Sequence, residues 1–147
     1  MGLITYLAED DQAILENLIE ILEEIPDVKV AAHAATEAEA THWLALQGDK
    51  WHVAIVDLFL REGSGLGVLA GCRNRKPYRK VVVLTNYATP DIRRRACKLG
   101  ADAVFDKTTE LDALYAYCTG QTENFSREEL RVAQRKHVNL VAPAVSL

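Results

Sequence analysis

Five side chains in this sequence are of the types needed to move a phosphoryl group: Glu9, Asp10, Asp57, Thr85 and Lys107. Each lies at or just beyond the end of a short apolar run: LITYLA before Glu9-Asp10, HVAIV before Asp57, VVVL before Thr85 and AVFD before Lys107. Clustered carboxylates repel, and each raises its neighbour's pKa unless a cation neutralises the group. A hard divalent ion that takes oxygen ligands and keeps several waters, which describes Mg²⁺, fits such a set. Thr85 offers a hydroxyl donor and Lys107 a point charge, and both suit phosphoryl oxygens. Asp57 is left as the nucleophile, because a carboxylate can attack phosphorus to form an acyl phosphate. Alone, Asp57 would read as a turn or cap residue. Its company at the other run ends changes that reading.

The elements that must position these residues follow from periodicity. Leu3 to Ala8, Val28 to Ala32, His52 to Val56, Val81 to Leu84 and Ala103 to Phe105 read as strands, with His52 to Val56 suited to burial on both faces of a parallel sheet. Between the first two, Asp11 caps a helix whose Ile14, Leu15, Leu18, Ile19, Leu22 and Ile25 share one face, and Pro26-Asp27 closes it. Thr36, with Glu39 in the capping-box position, starts a second helix that runs to about Gln47 and stops at Gly48. The Gly63-Ser64-Gly65-Leu66-Gly67 stretch lacks a dinucleotide fingerprint and reads as a flexible loop into a helix over Leu66 to about Arg73. Pro90 starts a fourth helix that Gly100 ends, and a fifth runs from about Glu110 to Cys118 with Leu111, Leu114 and Tyr115 inward. Five strands alternating with five helices predict a doubly wound parallel sheet. Right-handed crossovers then bring every strand's carboxyl end to one edge, where open α/β sheets bind ligands.

Composition narrows the class. A chain of 147 residues, 49% apolar and 26% charged, suits one globular domain with a full core. No run approaches a membrane span and no signal segment opens the chain, so a soluble, cytoplasmic protein is expected. The net charge of −4 argues against direct nucleic-acid binding. Cys72, Cys97 and Cys118 have neither disulfide nor zinc spacing and read as buried or half-buried apolar residues. His33, His42, His52 and His137 show no paired metal spacing and read as surface or packing residues.

The stretches LAEDDQAI, IVDLFLREGSG, VVVLTN and VFDK, at four expected strand ends in order, resemble the receiver domains of two-component response regulators. The resemblance covers Leu3 to Cys118. It implies a flavodoxin-like sheet of strand order 2-1-3-4-5, with residues 1–118 as receiver and 119–147 as a C-terminal extension without an output domain. It implies Asp57 as phosphoacceptor, Thr85 and Lys107 as its partners, and Mg²⁺ held by Asp10, Asp57 and the Phe59 carbonyl, with Glu9 acting through water. A sensor histidine kinase or histidine phosphotransfer protein would supply the phosphoryl group. The output would be a downstream protein contact, driven by a shift of the fourth helix, fifth strand and fifth helix. Such a chain is no enzyme beyond its own phosphorylation and dephosphorylation.

Four positions depart from the family's pattern. Arg61 stands where proline is usual and predicts a looser loop or one that meets a partner. Asn86 stands where a small residue is usual and predicts narrower access to the acyl phosphate. Thr108 replaces a cis proline, and Val104 replaces a rotating aromatic. Phe59 and Tyr87 flank the expected pocket, either packing on its loops or shielding the acyl phosphate from water. Arg93, Arg94 and Arg95 read as a solvated helix face, or as half of a homodimer surface completed by Glu110 and Asp112. In the tail, residues 119–122 read as a linker, Ser126 and Glu129 as the capping box of a short basic helix to about His137, and Val138 to Leu147 as an apolar end containing Pro143. The alternative to a phosphorylated switch is a receiver-like interaction module that phosphorylation does not regulate. An aspartyl phosphohydrolase of the haloacid dehalogenase kind fits on neither count: it wants a second Asp where this chain has Phe59, and a nucleophile strand near the start.

Overall fold

A computed structural model describes residues 2–47 and 50–146, with side chains as far as Arg135. The elements alternate as expected: β1 (Leu3–Ala8), α1 (Gln12–Glu23), β2 (Val28–Ala34), α2 (Glu37–Leu46), β3 (Val53–Val56), α3 (Gly65–Gly71), β4 (Lys80–Thr85), α4 (Pro90–Lys98), β5 (Ala103–Asp106) and α5 (Leu111–Ser146). All strand pairs are parallel and the order is β2-β1-β3-β4-β5. Gly48, the expected stop of α2, lies outside the described residues.

Period-two alternation sends each strand's side chains to opposite faces, and both faces are covered. On one face Tyr6, Ala54, Val56, Val81 and Val83 meet α2, α3 and α4 through Leu44, Val68, Leu69 and Ala96. On the other, Leu7, Val53, Ile55, Val82 and Leu84 meet Leu15, Leu18 and Leu22 of α1 and Leu114 and Cys118 of α5. A buried leucine of this kind is worth roughly 1.5–3 kcal/mol. The expected caps form, with the side chains of Asp11 and Thr36 accepting from the Ile14 and Glu39 amides, and Thr89, just before Pro90, caps α4 in the same way through the Ile92 amide. Glu39 closes its capping box differently, taking the Thr36 hydroxyl at 3.0 Å.

Three expectations need correction. Tyr115 is exposed, and Cys118 takes its inward place, because Leu111, Leu114 and Cys118 fall on one helical face. Cys97 is exposed rather than buried. The linker at 119–122 and the helix start at Ser126 are not found, since α5 runs unbroken through both. Thr119 and Thr122 satisfy their hydroxyls on the carbonyls of Tyr115 and Thr119, Phe125 packs on His52, and one interior glycine costs a helix only about 1 kcal/mol. The apolar end belongs to the same helix as far as Ser146; its side chains are outside the described set.

Candidate functional site

Strand register builds the site. Ala8 pairs with Val56, and the Asp57 amide donates to the Ala8 carbonyl at 2.9 Å, so Glu9 and Asp57 leave adjacent strands side by side. Thr85 pairs with Asp106, and the Lys107 amide donates to the Thr85 carbonyl at 2.9 Å, which brings the lysine across from the acids. Oxygens of Glu9, Asp10 and Asp57 all lie within 4.8 Å of one another. Glu9 and Asp57 are buried, and Asp10 is exposed at the rim.

Lys107 Nζ spans the acids, 2.6 Å from Glu9 Oε1 and 2.8 Å from Asp57 Oδ2. Burial opposes the ammonium charge, but hydrogen bonds and attraction from Asp57 and Glu9 outweigh it and hold the lysine above its ordinary pKa. For Glu9 burial is the largest influence, and it pushes the carboxyl up even though Lys107 and the Asp11 amide favour the anion. A buried acid short of compensating charge, beside two more carboxylates, is a donor set suited to a hard divalent cation. Thr85 is fully buried and its Oγ1 accepts from the Tyr87 amide at 3.2 Å, so its hydroxyl hydrogen can still be given to a ligand oxygen. All five expected side chains thus meet at one edge. Phe59 sits beside them, its amide 3.4 Å from Asp57 Oδ1.

The departures find physical reasons. Arg61 does not loosen the loop: its amide donates to the Ala35 carbonyl at 3.0 Å, a bond proline would forfeit. Gly65 lies so close to the Asp57 carbonyl that a Cβ would overlap it. Thr108 shapes the loop after Lys107 by giving both amide and hydroxyl to Asp106 Oδ1, at 2.8 and 2.6 Å, with no cis peptide among the described residues. Asn86 is exposed beside the pocket. The rings of Phe59 and Tyr87 meet edge to face at 4.9 Å, each still 58% exposed.

Two functional groups escaped sequence reasoning. Arg93, expected on a solvated or intermolecular face, ties three segments within the chain: Nε to the Ala88 carbonyl, one terminal nitrogen to the Val104 carbonyl, both at 3.0 Å, and the other to Glu110 at 2.6 Å. Glu110 also accepts from the Asp106 amide, and with Arg93 this keeps its carboxyl below the ordinary range. Glu37 reaches the loop after Asp57, where Ser64 donates its amide at 2.9 Å. An arginine and an acid 17 residues apart, or an acid and a backbone amide 27 apart, carry no local signal.

Fold and pocket define the class: a flavodoxin-like α/β module with an acidic, lysine-bridged pocket at the carboxyl edge of its sheet. Residues 5–119 match the response regulator receiver domain family. The chain is 34% identical over 110 residues to the uncharacterized transcriptional regulatory protein YvfU of Bacillus subtilis, covering 74% of this chain and 54% of that one. It is 32% identical over 104 residues to the photosynthetic apparatus regulatory protein RegA of Cereibacter sphaeroides, covering 71% and 54%. A DNA-binding response regulator of the LuxR family from Staphylococcus aureus shares the fold, with a TM-score of 0.71 at 20% identity over 82% of this chain and 98% of that one. The chain therefore belongs to the receiver-domain family of two-component response regulators, and spans about half the length of these two curated relatives. Among the described residues no helix is long and apolar enough to cross a membrane.

Proposed function

We propose that this chain takes a phosphoryl group onto Asp57 from the phosphohistidine of a sensor histidine kinase or phosphotransfer protein, and passes the signal on by protein contact. The observation that carries the proposal is the meeting of three carboxylates with Lys107 at the sheet edge. Glu9, Asp10, Asp57 and the Phe59 carbonyl would hold Mg²⁺, which supplies charge compensation for the transferring group. An Asp57 carboxylate oxygen attacks phosphorus as the phosphorus–nitrogen bond to the donor imidazole breaks, and the imidazole keeps the electron pair. Lys107 leaves Asp57 Oδ2 for a phosphoryl oxygen, and Thr85 donates its hydroxyl to another. These movements pull on the loops that Arg93 ties together, which biases α4, β5 and α5. The chain catalyses only this transfer and the hydrolysis of its acyl phosphate, in which water attacks phosphorus, the phosphorus–oxygen bond to Asp57 breaks and the carboxylate leaves with the electron pair.

Residues 1–118 act as the receiver and 119–147 as its extension, in the cytoplasm. The test is the intact mass of the protein after incubation with acetyl phosphate, with and without Mg²⁺, beside Asp57→Ala. A single Mg²⁺-dependent phosphoryl adduct, absent from the variant, is expected. No adduct on a folded protein would sink the proposal in favour of an unphosphorylated interaction module.

A further inference from the structure

The loop that carries the acceptor is stapled to the start of α2, and Glu37 is at the centre of the staple. Its amide donates to the Glu62 carbonyl at 3.0 Å, and Thr36 and Glu62 pair as an isolated parallel bridge. Arg61 adds its amide bond to Ala35, so residues 61–62 run beside 35–37 as a short extension of the sheet. The Glu37 carboxylate then crosses the gap and takes the Ser64 amide.

Ser64 transmits this hold toward the acceptor. It pairs with Phe59 in an isolated antiparallel bridge, and its hydroxyl lies 3.4 Å from the Leu58 carbonyl. The Gly65 amide donates to that same carbonyl at 3.0 Å. Glu37 is thus connected by successive hydrogen bonds to the backbone of residues 58–59, directly after Asp57. Two glycines make room for it: a Cβ on Gly67 would overlap the Glu37 carboxylate, and one on Gly63 would overlap its Cβ.

We propose that Glu37 is a positioning residue, which clamps the loop after Asp57 so that the Phe59 carbonyl and the Asp57 carboxylate face a divalent cation together. The inference rests on the phosphoacceptor reading above and adds a group that touches neither cation nor phosphate. A carbonyl left free to turn away costs affinity for a hard ion, because each oxygen must be held at its ligand distance. Glu37 as a mere acidic residue in the first turn of α2 would contribute to helix stability alone.

The two are separated by the Mg²⁺ affinity of the unphosphorylated full chain, measured by calorimetric titration below the melting range of each variant. Glu37→Ala is expected to weaken Mg²⁺ binding about fivefold, the scale of one lost hydrogen bond, while Glu37→Gln, which keeps an acceptor oxygen, retains most of it. Gly67→Ala displaces the carboxylate and should produce the same loss, and the two losses should not add in Glu37→Ala/Gly67→Ala. Unchanged Mg²⁺ affinity in Glu37→Ala overturns the clamp. Should that variant fail to fold, unchanged affinity in Gly67→Ala overturns it equally. A wild-type chain that binds no Mg²⁺ overturns the phosphoacceptor reading and the clamp with it, whereas loss of the clamp alone leaves Asp57 phosphorylation in place.

Discussion

At the scale of single residues, the site is a problem of charge. Glu9 and Asp57 are both buried, and Lys107 lies between them. Removing one partner from a buried ion pair leaves uncompensated charge and costs about 3 kcal/mol or more. Lys107→Met is therefore expected to lower the melting temperature sharply, and added Mg²⁺ should recover more stability in this variant than in wild type. Equal recovery in both proteins would mean that the lysine does not share the acids with a cation. The Phe59–Tyr87 ring pair sets a different property, because its apolar faces stand beside the pocket where water must approach an acyl phosphate. Phe59→Asn and Tyr87→Glu are each expected to shorten the lifetime of phosphorylated Asp57 several-fold, read by the decay of the phosphoryl adduct in intact-mass spectra. A lifetime unchanged in both variants would reduce the rings to loop packing.

At the scale of elements, Arg93 and His52 show what periodicity could not disclose. The strands and the meeting of Glu9, Asp10, Asp57, Thr85 and Lys107 were legible because apolar runs, caps and strand-end polar residues are local signals, whereas the strand order came only with the family resemblance. Glu37, Arg93 and the unbroken course of α5 were not, because each depends on a partner far along the chain or on packing that outweighs Gly120. Arg93→Ala frees the carbonyls of Ala88 and Val104 and should cost about 1 kcal/mol, with faster amide exchange in residues 86–93 and 104–110. Exchange unchanged in those segments would show that the tie is dispensable. His52 joins β1 to α5: its Nδ1 accepts from the Ile4 amide at 2.8 Å and its ring packs on Phe125. Burial lowers its pKa from the ordinary 6.5, with Arg79 acting in the same sense and Glu129 against it. The folded state thus favours the neutral ring, so this stabilisation is complete above the unfolded value and is lost as pH falls through the lower folded one. Wild type should lose more stability than His52→Leu between about pH 7.5 and about pH 5, measured by thermal melts. A parallel loss in the two would exclude His52 as the cause.

At the scale of the whole molecule, the sheet has two working edges. The carboxyl edge holds the acidic pocket. At the amino edge, α5 beyond Cys118 forms one wall of an open groove of about 940 Å³, with Leu3, His52, Tyr78 and Phe125 among its lining. Ending the chain after Gly120 removes Phe125 and Glu129, and with them one wall of that groove. His52 should then titrate closer to its ordinary value, observed by its ring-proton resonances, while phosphorylation at the opposite edge proceeds as before. An unmoved His52 titration would mean that α5 does not shield it. The length of α5 has a mechanical consequence. Its 36 residues stay helical well past Phe125, the last described side chain packed against the core, and the part beyond Phe125 is a rod of about 30 Å. A tilt of about 5° at its root would sweep the far end through roughly 3 Å. A helix of that length has the geometry of a lever: a small tilt at the core would become a displacement large enough to make or break a contact.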